Sequence, residues 1–133
     1  MAEAKKNIID WLFSAENEPA ETRDIKMTRL SESYGGDVVF RVKGLSFTEM
    51  CHYRAMQDDA ARQMGILLAG VVYPDLKDKD AYRAAGFKSA EEAVKKKLLP
   101  GEISVLANEI AKLSGYGVSV GEELNVAEEI EKN

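Results

Sequence analysis

Between Ser46 and Gly115 the chain carries helix start and stop signals at short intervals, and this punctuation forces several short helices in place of one long one. Ser46-Phe-Thr-Glu49 and Ser89-Ala-Glu-Glu92 match the capping-box pattern, in which the hydroxyl accepts from the first-turn backbone and the glutamate reaches back. Asp58-Asp59 offers acids to a positive helix N-terminus. Pro100 suits a first helical position, where a missing N–H loses nothing. Gly86, with Phe87 after it, and Gly115 are stop signals. The spacing therefore predicts helices over 47–57, 58–71, 78–85, 90–99 and 100–114. The second of these keeps Ala60, Ala61, Met64, Leu67, Leu68 and Val71 at helical intervals, is weakened by Gly65 and Gly70, and ends before Pro74; a strand over 66–72 competes with it. The last buries Ile103, Leu106, Ala107, Ile110 and Leu113.

The first third reads differently. Ile8, Trp11 and Leu12, with Ile9 and Phe13 beside them, predict a short amphipathic helix over 4–14, followed by a polar hinge over 15–22 that contains Pro19. Period-two patterns then predict strands over 24–30, with Ile25 and Met27 on one face, and over 38–42, with Val38, Phe40 and Val42 on one face. Gly35-Gly36 between them supplies the positive φ of a turn. A lone two-stranded hairpin is marginal, so it must pack on a helix or on another chain. The expected fold class is α+β, mainly α: a short N-terminal helix, a β-hairpin, then a compact bundle of short helices. With 133 residues one domain is expected, with a mobile N-terminal arm (1–22), a core (23–115) and an acidic tail (116–133) in which Leu124, Ala127 and Ile130 recur at intervals of three.

Charge and residue usage exclude several functions. A net charge of -5 disfavours nucleic acid and anionic membrane surfaces, which both call for basic stripes. No apolar stretch has the length of a membrane span, and the start carries no signal-peptide core, so a cytoplasmic location is expected. One cysteine, Cys51, and one histidine, His52, are adjacent on a predicted helix, so their side chains diverge by about 100° and form neither a zinc site nor a nucleophile pair. Cys51 is expected to pack as a small apolar residue, with His52 facing solvent or a neighbour. Asp75, Asp78 and Asp80 lack the glycine at position 6 and the glutamate at position 12 of a calcium loop. Gly115-Tyr-Gly-Val-Ser-Val-Gly121 follows a helix and has its last glycine one residue late for a dinucleotide loop. Lys95-Lys-Lys97 sits where a helix C-terminus favours cations. No catalytic, metal-binding or cofactor-binding residue is assigned, and no enzyme activity is expected.

Ile8, Trp11, Leu12 and Phe13 are the candidate partner-binding residues. They dock on their own domain as core, or they insert into a groove of another chain, a mode that uses the same helical spacing and in which Trp is a frequent anchor. The free edge of the strand pair is a second place where another chain can add.

The order of motifs resembles the XkdN-like tail assembly chaperones of phages and phage-like elements over nearly the whole chain. The resemblance rests on Asn7-Ile-Ile-Asp-Trp-Leu-Phe13, Val39-Phe-Arg-Val-Lys-Gly-Leu-Ser-Phe-Thr-Glu49, Gly70-Val-Val-Tyr-Pro-Asp-Leu-Lys-Asp78, Ser89 through Ile103 and Lys112-Leu-Ser-Gly-Tyr116. The Pro-Asp-Leu-Lys-Asp and Leu-Leu-Pro-Gly-Glu stretches, in this order, are its most specific elements. The resemblance implies a non-enzymatic protein of the host cytoplasm that binds the tape measure protein during tail tube assembly and is absent from the finished particle. The tail tube protein and further copies of the chain are additional candidate partners. A small structural subunit, a connector or tail-completion protein, is the alternative.

Overall fold

In the computed structural model, which describes residues 7–15, 17, 21–117 and 121, the element order is α1 (Ile8–Leu12), β1 (Thr22–Lys26), α2 (Thr28–Tyr34), β2 (Val39–Lys43), α3 (Phe47–Arg54), α4 (Asp59–Gly70), β3 (Val71–Tyr73), α5 (Lys79–Ala84), α6 (Ala90–Lys97) and α7 (Pro100–Leu113). The α+β, mainly α expectation holds. Helix starts fall where local hydrogen bonds place them. Ser46 Oγ accepts from Glu49 N while Glu49 Oε1 accepts from Ser46 N. Asp58 and Asp78 cap α4 and α5 through their Oδ1 atoms. Ser89 Oγ accepts from Glu92 N, but Glu92 reaches one residue further back, to Lys88 N. Pro100 opens α7, and Gly115, at φ 97°, follows its C-cap.

The strands form one antiparallel sheet in the order β1-β2-β3. Period-two alternation gives it two unlike faces. Phe40, Val42 and Val71 are buried on the inner face, while Val39, Arg41 and Lys43 look outward. The inner face lies against α7, which packs in turn on α4. Leu67, Leu106, Ile110 and Val42 are the largest fully buried side chains, so the core sits where α4, α7 and β2 meet.

Two expectations change. The strand predicted over 24–30 is Thr22–Lys26, and the expected turn is replaced by α2. Met27, Leu30 and Ser31 lie at helical intervals and turn inward. Ser31 Oγ accepts from Val38 N at 2.8 Å, which fastens α2 to the entry of β2, and Gly35 ends the helix at φ 85°. The helix predicted to continue to Val71 stops at Gly70, because Val71 pairs with Val42 and becomes the third strand. Gly65 and Gly70 are close-approach positions. A Cβ on Gly65 would stand 2.5 Å from the Tyr53 ring, and one on Gly70 would stand 2.5 Å from Ile110.

Candidate functional site

Helix α1 is short and held by its own neighbours. Asn7 Oδ1 accepts from Ile9 N, Ser14 Oγ donates to Trp11 O, and Asn17 Nδ2 donates to Leu12 O. None of its residues is buried, and Ile8 and Phe13 are 80% and 78% exposed. At about 100° per residue, Ile8, Ile9, Trp11, Leu12 and Phe13 cover roughly 200° of the circumference, with Asp10 on the remainder. The structure therefore brings all four sequence-predicted residues to one exposed element, and the alternative of α1 as core of its own domain is not what the described residues show.

A second apolar surface was not read from the sequence. A groove of about 520 Å³ runs between β1 and the start of α7, with Ile25, Leu99, Gly101 and Val105 among its lining. Leu99 and Val105 are about half exposed. The signal was present: Val105 is apolar yet lies off the Ile103, Leu106, Ala107, Ile110 stripe that faces the core.

Ion pairs frame this groove. Arg29 Nε and Nη2 donate to the two carboxylate oxygens of Glu102 at 2.9 and 2.8 Å, and Nη2 also donates to Lys97 O. Glu102 Oε1 further accepts from Leu99 N at 2.7 Å, completing the first turn of α7. The Arg29 guanidinium, chiefly, and this backbone bond hold Glu102 below the ordinary glutamate pKa of 4.5 against the opposing effect of burial. Further along α7, Arg23 and then Lys112 do the same for Glu109. On the open sheet face, Arg41 takes both oxygens of Asp24.

The acids near residue 78 have structural duties: Asp75 Oδ1 accepts from Lys77 N, and Asp78 caps α5. Cys51 is exposed, contrary to the expectation of a packed thiol, because α3 turns Met50 and Tyr53 inward instead. His52 is exposed too, with its ring against Tyr53. Lys95 pairs with Glu91, and Lys97 lies over the Phe87 ring. Among the described residues no group of three acids, histidines or cysteines gathers to hold a metal, and no helix is long and apolar enough to cross a membrane. The part of the acidic tail that holds Leu124, Ala127 and Ile130 lies outside the described residues.

The arrangement offers apolar surface and paired charges, and these are means of binding protein. No curated protein and no solved structure matches the chain. The family model of the phage XkdN-like tail assembly chaperone protein matches residues 9–131, nearly the whole length, and the chain belongs to that family.

Proposed function

We propose that the chain binds the tape measure protein and keeps it soluble in the bacterial cytoplasm while the tail tube assembles, with α1 as the element that docks, and that it leaves before the particle is complete. Membership of the family supports a role in tail assembly, and such chaperones are generally non-enzymatic. The observation that carries the finer reading is the exposure of Ile8, Trp11, Leu12 and Phe13 together on one helix. A long helical protein with exposed apolar seams aggregates unless they are covered, and binding the dispersed form stabilises it by mass action. The arm of residues 1–22 carries the docking helix, the core of 23–115 displays it, and the tail tube protein is a further partner.

The test is co-expression with the long coiled-coil-rich protein encoded beside this chain, followed by solubility and pull-down assays. The long protein is expected to become soluble and to co-purify only when the chain is present. Trp11→Ala is expected to leave the fold intact, because Trp11 is 46% exposed, and to weaken the complex about thirtyfold, as loss of a hot-spot tryptophan does. A long protein that is soluble alone, or that does not associate, sinks this reading and leaves the structural-subunit reading in its place.

A further inference from the structure

The segment from Thr22 to Gly36, made of β1 and α2, is held to the helices at few points. No residue of β1 is buried, and α2 buries only Ser31, with Met27 buried at its N-cap. Among the described residues, two arginines make every hydrogen bond and ion pair between this segment and helices α3–α7. Arg29 takes both oxygens of Glu102 and the carbonyl of Lys97, where α6 gives way to α7. Arg23 takes Glu109. Glu102 and Glu109 are seven residues apart on α7, which puts them on one face, about 10 Å from each other along the axis. The rest of the polar attachment is an edge ladder with β2, finished by Met27 N donating to Val38 O and Val38 N donating to Ser31 Oγ. The pairs Asp24–Arg41 and Lys26–Asp37 add to it at the surface.

The apolar seam between this segment and the helices is not filled. Ile25 and Met27 line the groove of about 520 Å³ together with Leu99 and Val105. Leu30 lines a second hollow, of about 200 Å³, together with Leu76, Val94 and Leu98. Side chains that face open space forfeit the dispersion contacts that close packing supplies. In the core, by contrast, Leu67, Leu106 and Ile110 have no exposed surface. A region with few buried apolar contacts and exposed backbone bonds opens at lower free energy than such a core. We propose that residues 22–36 form a strap that opens as one unit, peeling β1 from β2 and α2 from α6 and α7, while the rest of the core stays folded. Gly35, at φ 85°, and Gly36 join the strap to the entry of β2 and form its hinge. Opening uncovers Met27, Leu30 and Phe40, the residue that Ile25 faces across the ladder. The inference concerns the chain alone and does not rest on the tape measure reading.

The test is hydrogen exchange of the full chain under native conditions in rising, sub-denaturing urea, with wild type, Ile66→Val and Arg29→Gln. The strap is read at the amides of Met27, Ser31 and Gly35, which are all hydrogen-bonded, and the core at those of Leu106 and Ile110 inside α7. The three strap amides are expected to share one opening equilibrium, at least about tenfold more populated than the opening that frees the core. Its urea slope is expected to be shallower, because less surface is exposed. Ile66 is buried on α4, which packs on α3, α6, α7 and β3, so the strap-open state keeps its packing. Ile66→Val is therefore expected to speed core exchange about threefold to tenfold and to leave the strap amides unchanged. Arg29→Gln loosens a contact that is lost in both openings, so it is expected to speed strap and core by the same factor, about threefold. Strap amides that match the core in rate and urea slope overturn the proposal. So do strap amides that exchange at unrelated rates without urea dependence, an Ile66→Val that speeds strap and core alike, or an Arg29→Gln that speeds the core and not the strap.

Discussion

Gly70→Ala is a sharp probe of the core, because two known effects oppose each other there and the structure decides between them. Gly70 is the last residue of α4, and alanine in a helix is favoured over glycine by about 0.5–1 kcal/mol. On propensity alone the substitution stabilises. A Cβ at this position, however, would stand 2.5, 2.6 and 2.7 Å from Cδ1, Cγ2 and Cγ1 of Ile110. Carbon atoms rest at about 3.5–4.0 Å, so three contacts overlap by roughly 1 Å. Ile110 is fully buried and branched at Cβ, so it has neither space nor a free rotamer to yield. Overpacking of this kind costs about 1–3 kcal/mol. The propensity gain is small at a helix end, so the net expectation is a loss of about 1–2 kcal/mol in urea unfolding with an unchanged slope. Gly101→Ala is the internal control: it lies in the first turn of α7 with nothing within 4 Å of its Cβ, and it is expected to be neutral or to gain up to about 1 kcal/mol. Ile110→Val removes the nearest contacting atom. The double variant with Gly70→Ala should therefore lose less stability than the two single losses added together. If Gly70→Ala is as stable as wild type, or more so, then α4 and α7 do not approach as closely as described and the reasoning is wrong.

Other perturbations separate local from tertiary contributions. Ser46→Ala removes the acceptor for Glu49 N and should cost about 1 kcal/mol, read by thermal unfolding. Leu106→Ala hollows the centre of the core and should cost about 2–5 kcal/mol, with the larger value if the cavity does not collapse. The pH dependence follows from Glu102 and Glu109, whose folded-state pKa values lie below the ordinary 4.5. Their stabilisation is fully present above that value and is lost as pH falls through the folded values, so stability should decline on acidification below about pH 4.5. Glu102→Gln should flatten this acid limb in urea midpoints taken at successive pH values. Asp24→Asn should change it less, since the Asp24–Arg41 pair is half exposed and screened by solvent.

The elements legible in the sequence were those set by bonds within three or four residues. Ser46, Asp58, Asp78, Ser89 and Pro100 mark helix starts because each acts on the amides of its own first turn. The α2 helix was not legible, and β3 was legible only within a competing strand over 66–72, because bonds beyond the local turn decide them: Val38 N bonds to Ser31 Oγ, and Val71 pairs with Val42. Gly65 and Gly70 looked like weak points of a helix, since nothing local says that Tyr53 and Ile110 will stand against them. The apolar character of α1 could be read from composition alone. The groove could not, because Ile25 is far in the chain from Leu99 and Val105 and meets them only in the folded molecule.

The length of α1 bears on how a chaperone of this kind would let its client go. Five helical residues are far fewer than the roughly 12–15 needed for even marginal stability of an isolated helix in water. Its hydrogen bonds are local, from Asn7, Ser14 and Asn17, and its apolar residues have no cover from the described core. Docking such an element on a partner therefore also orders it, and the ordering entropy offsets part of the interaction free energy. On the proposed reading this keeps the affinity of each contact moderate while Trp11 still provides an anchor. It also leaves the core indifferent to whether α1 is engaged, since no α1 residue belongs to the cluster around Leu67, Leu106 and Ile110 or packs against it. A variant that lengthens α1 with strong helix formers should then bind more tightly and release more slowly, at unchanged core stability. Measured dissociation rates that do not slow would show that ordering of α1 is not what limits the affinity.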